Sequence, residues 1–311
     1  MKTLKHDSYV RARQFLKSKA RPVDRALFEY RFEGGSADKV VSTLVAYQND
    51  DGGFGRALEP DLRSPSSSAD ATGIALSIFK EISTATESLM LQKTVHFLLA
   101  TLHPERSTWR VAPQDVNQYP HAPWWHDEEG SLERTFDGYR VIPRAKLVAL
   151  LHHYADLVPE DWLSYLTEQT VSDIEKIDPL GSGGGDDLVY ALSLAEERSV
   201  PEAFRSRVVA RVRAVVPEVV TLDPEEWSTY CISPLKIVKS PSSPVADLIW
   251  GAVQEHLDYQ IEHQTPEGAW DPVWSWGDFY PQVWPQARVE WQGYLTLEIL
   301  TTLKAFDRIE G

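Results

Sequence analysis

Gln48-Asn49-Asp50-Asp51-Gly52-Gly53-Phe54, near the start of the chain, returns near its end as Gln264-Thr265-Pro266-Glu267-Gly268-Ala269-Trp270. Gln, an acid, Gly and an aromatic residue recur at the same offsets. An internal repeat outweighs any single motif, because it reports a structural unit used twice. Each copy follows an apolar helical pattern and leads through a loop to another. The spacing starts those later helices near Ala71 and near Glu290. The unit therefore reads as helix, Gly turn, anchored aromatic, loop, helix. The Gly supplies a left-handed C-cap, the acid suits the next helix N-terminus, and the Gln side chain bonds backbone groups of the adjacent turn.

Outward from the repeats, apolar residues recur at helical spacing. Val40, Val41, Leu44 and Val45 form one stripe, and Ile74, Ala75, Ile78, Phe79 and Ile82 another. The pattern continues through Val95, Leu98, Leu99 and Leu102, then Leu147, Val148, Leu151 and Ala155. It closes with Ile249, Val253, Leu257 and Ile261, and with Leu295, Ile299, Leu303 and Phe306. Segments near 7–18, 23–32, 160–175, 186–197 and 201–216 bring the total to about a dozen helices. The Val-rich stretch 208–220 reads as helix too, and no strand pair is evident. The expected class is all-α.

Three long connections interrupt the helices, at 51–68, 103–143 and 265–288. Loops beyond about 12–15 residues are usually functional or disordered, and the aromatic content of these points to ordered, functional loops. The stretch GSGGGDD at 181–187 reads as a turn into a helix, since it lacks the Lys-Ser/Thr ending of a phosphate-binding loop.

The chain has 311 residues, a formal net charge of -15, and 11 Trp. The charge argues against sequence-independent binding to nucleic acid, which needs a basic face. Cys231 is the only cysteine, so neither an internal disulfide nor a cysteine-rich zinc cluster is available. The first twenty residues lack the apolar core of a signal peptide, and no stretch approaches the ~18–20 apolar residues of a membrane span. These features predict a cytoplasmic protein, with a homo-oligomer compatible with the sequence.

The repeats resemble the QW-type repeat of terpenoid cyclases and the matching Gly-Gly-Phe repeat of protein-prenyltransferase β-subunits. The resemblance is good over roughly 46–82 and 260–308. It implies an (α/α)6 toroid, a double ring of about six helical hairpins around an aromatic-lined cavity. The whole chain, 1–311, would form one domain similar to a single squalene–hopene-cyclase-like β domain.

The resemblance also implies chemistry. Class II cyclases protonate an alkene or epoxide with the middle acid of Asp-x-Asp-Asp-Thr. Here the corresponding place reads Ser68-Ala69-Asp70-Ala71-Thr72, which keeps the middle Asp and the Thr and lacks both flanking acids. Asp70 is then either that acid or the N-cap of the helix starting at Ala71. Glu59-Pro60-Asp61-Leu62-Arg63 supplies a second acid candidate. Arg63 suits a diphosphate or carboxylate, or braces the loop by a salt bridge. Trp109, His121, Trp124 and Trp125, with Trp274, Trp276, Tyr280 and Trp284, are candidate substrate-binding residues. Their faces would stabilise a carbocation or stack on sugar rings, or pack loops. Arg288 joins Arg63 as a candidate for the polar head group.

Protein prenyltransferases use Asp, Cys and His as zinc ligands. Cys231 in WSTYCISPLK has no Asp-x-Cys spacing, and it reads as a buried small residue, so no metal is assigned. Magnesium enters only with a diphosphate substrate. The expected function is acid-initiated cyclisation or isomerisation of an apolar isoprenoid. The alternatives are a carbohydrate-active enzyme, lyase or hydrolase, and a non-catalytic ligand-binding or interaction module.

Overall fold

The computed structural model describes residues 1–128, 130, 140–179, 181 and 184–310. The remainder of the connection after Glu128, and part of the turn before Asp186, lie outside the described residues. Among the described residues there are twelve α-helices and no strand, only isolated β-bridges. No described helix is long and apolar enough to cross a membrane. The chain gathers into two compact units, Leu44–Val219 and, from its two ends, Met1–Thr43 with Val220–Gly311.

The unit Leu44–Val219 contains three consecutive hairpins. These are α4 (Ala69–Glu81) with α5 (Leu89–Thr101), α6 (Arg144–His153) with α7 (Glu160–Ile174), and α8 (Gly184–Glu196) with α9 (Glu202–Val219). Helix α6 packs on both α4 and α8, and α7 packs on α9. Composition explains the layering. Helix α6 buries Arg144, Ala145 and every residue from Leu147 to His152, so it is covered on nearly all sides. Helix α9 buries only Val208, Val212, Val215 and Val216, one stripe at helical spacing. Gly73 lets α4 approach α6, since a Cβ there would stand 3.0 Å from Leu147 Cδ2.

Helices α4, α6 and α8 run parallel. Tyr190, in α8, reaches Asp70 in the first turn of α4, and Lys146 in the first turn of α6 influences the same carboxyl. At the other ends, Glu197 just beyond α8 is paired with Lys80 of α4 and lies 3.9 Å from His153 at the end of α6. Three helix N-termini therefore share one end of this unit.

The second unit holds α1 (His6–Ser18), α2 (Pro22–Glu33), α10 (Pro234–Ile237), α11 (Trp250–Glu262) and α12 (Trp284–Ala305). Helix α3 (Ala37–Leu44) spans the junction in sequence. Helix α12 packs on α1 and α2. The chain ends are joined by a short ladder, Leu4 N–H to Arg308 O at 2.8 Å and Glu310 N–H to Leu4 O at 3.0 Å.

The repeat is structural. Gln48 Nε2 donates to Gly52 O and to Met90 O of α5, both at 3.1 Å. Gln264 Nε2 donates to Gly268 O at 3.0 Å and to Ser8 O of α1 at 2.9 Å. Phe54 N–H donates to Thr72 Oγ1 of α4, and Trp270 N–H to Thr296 Oγ1 of α12. Both aromatic residues are buried. Helix α1 thus serves the second copy as α5 serves the first. The pair α12–α1, drawn from opposite ends of the chain, stands for the continuous hairpin α4–α5.

Three expectations are corrected. The cap of α4 is Ser68, whose hydroxyl accepts from Ala71 N–H; Asp70 lies inside the first turn. Helix α12 begins at Trp284 rather than near Glu290, because Pro285 suits a first helical turn, where its missing N–H is no loss. Trp284 and Arg288 are therefore helical, not loop, residues. Gly52 and Gly268 do take positive φ, +87° and +93°, but each turns the chain beyond its helix instead of capping it.

Burial of a titratable group gives this fold a pH signature. His256 is 2% exposed, lies tilted against Trp227 with ring centroids 4.3 Å apart, and accepts Leu235 N–H at Nδ1. Burial, helped by Lys239 and His263, lowers its pKa to about 3. The unfolded chain takes up this proton below about pH 6.5 and the folded chain does not, so stability falls as pH drops from there towards 3. Between pH 6.5 and 5 the loss is expected to be about 2 kcal/mol. Urea midpoints at the two pH values measure it, and His256→Gln should flatten the slope.

Candidate functional site

The loop 51–68 is a folded brace. Leu62 pairs with His121 in an isolated antiparallel bridge. Arg63 N–H donates to Pro120 O, and Ala122 N–H to Asp61 O. Ser64 and Ser66 hydroxyls each donate to the Asp115 carboxylate at 2.8 Å. Leu62 belongs to a small core with Val111, Ala112 and Val116, covered by Trp125. This packing buries Glu59 and Asp61, at 6% and 2% exposure.

Asp70 is half-buried beside this brace, in the first turn of α4. Tyr190 Oη donates to Asp70 Oδ1 at 3.3 Å. Burial raises the Asp70 pKa; the Lys146 ammonium and the Tyr190 hydrogen bond oppose that rise and do not cancel it. Burial also holds the Tyr190 phenol well above its ordinary value, with Asp70, Glu59 and Asp186 adding to the effect. Tyr190 therefore keeps its proton and donates. Asp186 and Asp187 lie four and three residues before it, on the same side of α8. Asp187 Oδ1 is buried with no hydrogen-bond partner, and burial, with Asp186 beside it, lifts its pKa to about 7.

Two predicted acids, Asp70 and Glu59, act on Tyr190 together with Asp186, and Lys146 acts on Asp70; Tyr190, Lys146, Asp186 and its neighbour Asp187 are four residues that sequence reasoning missed. The one signal was the acidic pair at 186–187 on a helix start. A carboxyl whose pKa burial raises, and which accepts a phenol's hydrogen bond at one oxygen, is suited in its protonated form to donating a proton. Among the described residues no three His, Cys, Asp or Glu side chains are grouped to hold a metal ion, and Cys231 is half-buried.

The Asp187 shift makes a stability prediction. Its folded pKa lies above the ordinary ~3.9, so the folded chain holds this proton more tightly. Stability from this group falls as pH rises from about 4 to about 7. Asp187→Asn is expected to gain on the order of 2 kcal/mol at pH 8, allowing for partial solvent exposure, and none at pH 4. Thermal melts at the two pH values check this.

The other predicted residues divide between the units. Trp109 is buried, with its indole N–H donating to Leu98 O at 2.7 Å and its ring edge-on to Trp162, so it ties α5 to α7. His121 is buried, its Nδ1 against Tyr119 O and its Nε2 3.0 Å from His126 Nδ1, and burial lowers its pKa. Trp124 is exposed, Trp125 packs on the small core, and Arg63 is half-buried. In the unit formed by the chain ends, Trp276 is buried against Trp284 at 5.7 Å, and Tyr280 is half-buried beside Phe279. Trp274 lies edge-on to Trp291 at 5.0 Å. Arg288 is paired with Asp271 through two 3.0 Å hydrogen bonds.

No protein-family model matches the chain, and no curated protein and no solved structure matches it either.

Proposed function

We propose that this chain is an acid–base enzyme of the isoprenoid-processing kind, with Asp70 as its proton donor. The observation that carries the reading is the Asp70–Tyr190 pair, placed one helix start after the first repeat, where burial favours the neutral carboxyl. Thr72, the last residue of the degenerate motif, holds the Phe54 N–H, which ties the acid to the repeat. In this reading the helical hairpins belong to one (α/α) toroid. Asp70 adds its proton to an alkene carbon of an apolar substrate, and the carbocation formed loses a proton from another carbon to the Asp70 carboxylate, which restores the acid. The net change is isomerisation or cyclisation, with no oxidant required. Asp186 and Asp187, one turn before Tyr190, are the acceptors nearest in sequence to the phenol.

The test is incubation with squalene, free polyprenols and prenyl diphosphates, with and without magnesium, followed by product analysis. A new isomer or cyclic product is expected from the wild type and from Asp61→Ala, and none from Asp70→Ala. Turnover by Asp70→Ala would remove Asp70 from the role. Absence of both turnover and thermal shift across the panel would remove the substrate class.

A further inference from the structure

Five of the tryptophans form two contrasting sets. Trp109, Trp227 and Trp270 are at most 3% exposed, and each donates its indole N–H to a backbone carbonyl. Their burial and hydrogen bonds account for them as packing. Trp274 and Trp291 differ: both are half-buried, and the Trp274 N–H has no hydrogen-bond partner. Their rings meet at 82°, with Tyr230, 58% exposed, edge-on to Trp274 at 6.4 Å. These rings form an aromatic corner at the surface of the unit built from the chain ends.

A polar fork lies beside the corner. Arg288, Trp291 and Gln292 share one side of α12, at positions i, i+3 and i+4. Arg288 Nε and Nη2 donate to the two oxygens of Asp271 at 3.0 Å, and Gln292 Nε2 donates to Asp271 Oδ1 at 2.8 Å. The Arg288 and Asp271 side chains are 50% and 37% exposed. An exposed pair of this kind is worth little to stability. It does offer a planar array of donors and acceptors next to an aromatic face.

We propose that Trp274, Trp291, Asp271, Arg288 and Gln292 form a binding site for a pyranose ring. The C–H face of the sugar stacks on an indole, and a vicinal pair of hydroxyls bonds the carboxylate and guanidinium. The local charge favours a neutral ligand, because Asp271 is already balanced by Arg288 and Lys236 already lies over the Tyr230 ring at 4.1 Å. This site does not depend on the role of Asp70.

The test is saturation-transfer NMR and tryptophan fluorescence on the full chain with cellobiose, maltose and tetramethylammonium chloride. A saturable signal from a disaccharide is expected, with a roughly millimolar Kd. Trp274→Ala should weaken it about tenfold, Trp274→Phe should keep part of it, and Asp271→Asn should weaken it about fivefold. The surface variant Asp271→Asn keeps the test decisive if Trp274→Ala fails to fold. Absence of any disaccharide signal would overturn the proposal. So would binding unchanged in both Asp271→Asn and Trp274→Phe, or a response to tetramethylammonium alone.

Discussion

Gly52→Ala is expected to destabilise the protein by about 3 kcal/mol, among the largest losses available to a single methyl group. Two effects add. At φ +87° an L side chain is strained, which accounts for about 1 kcal/mol. The new Cβ would also stand 2.4 Å from the Lys93 carbonyl oxygen, a backbone atom within α5 that cannot swing aside. Gly268→Ala should behave alike, since its φ is +93° and its Cβ would meet Arg11 backbone at 2.4 Å in α1. Gly34→Ala is the control. It shares a positive φ, +71°, but its Cβ would meet nothing within 4 Å, so about 1 kcal/mol is expected. Urea midpoints of the three variants separate close approach from backbone strain. Equal losses in all three would show that the repeat turns are not pressed against their neighbouring helices.

Asp70→Asn is expected to lower turnover by about 10²–10⁴-fold while leaving the fold intact. The amide preserves the side chain's shape and the acceptor for Tyr190, but it carries no acidic proton. Because burial disfavours the charged carboxylate, the same change should not lower stability at pH 8. A catalytic loss without a stability loss is the pattern that separates a proton donor from a structural brace. Loss of both together would assign Asp70 to packing alone.

The all-helical class and the repeat were legible because both are local. Helical spacing is a matter of nearest turns, and the Gln–Gly–aromatic offsets encode bonds that close within seven residues, such as Gln48 to Gly52 O. The far partners of those turns were not legible. Met90 O and Ser8 O reach equivalent glutamines from opposite directions along the chain. Asp70 was visible as a candidate, yet Tyr190 is 120 residues away, and only the packing of α6 between α4 and α8 brings that face near. Asp186 and Asp187 had the look of helix-start residues, which they also are; their burial is a tertiary property. The packing of Trp109 was not legible, since its indole is held by a carbonyl that the sequence does not mark as a neighbour.

Asp70 is an acid whose pKa burial raises and whose Oδ1 is held by Tyr190. A carboxyl-carbon NMR titration of the full chain labelled at aspartate, with Asp70→Asn identifying the resonance, tests it directly. The predicted midpoint lies above the ordinary ~3.9 and rises further in Tyr190→Phe, because the phenol's hydrogen bond opposes the effect of burial. A midpoint at or below the ordinary value, unmoved by Tyr190→Phe, would contradict the account.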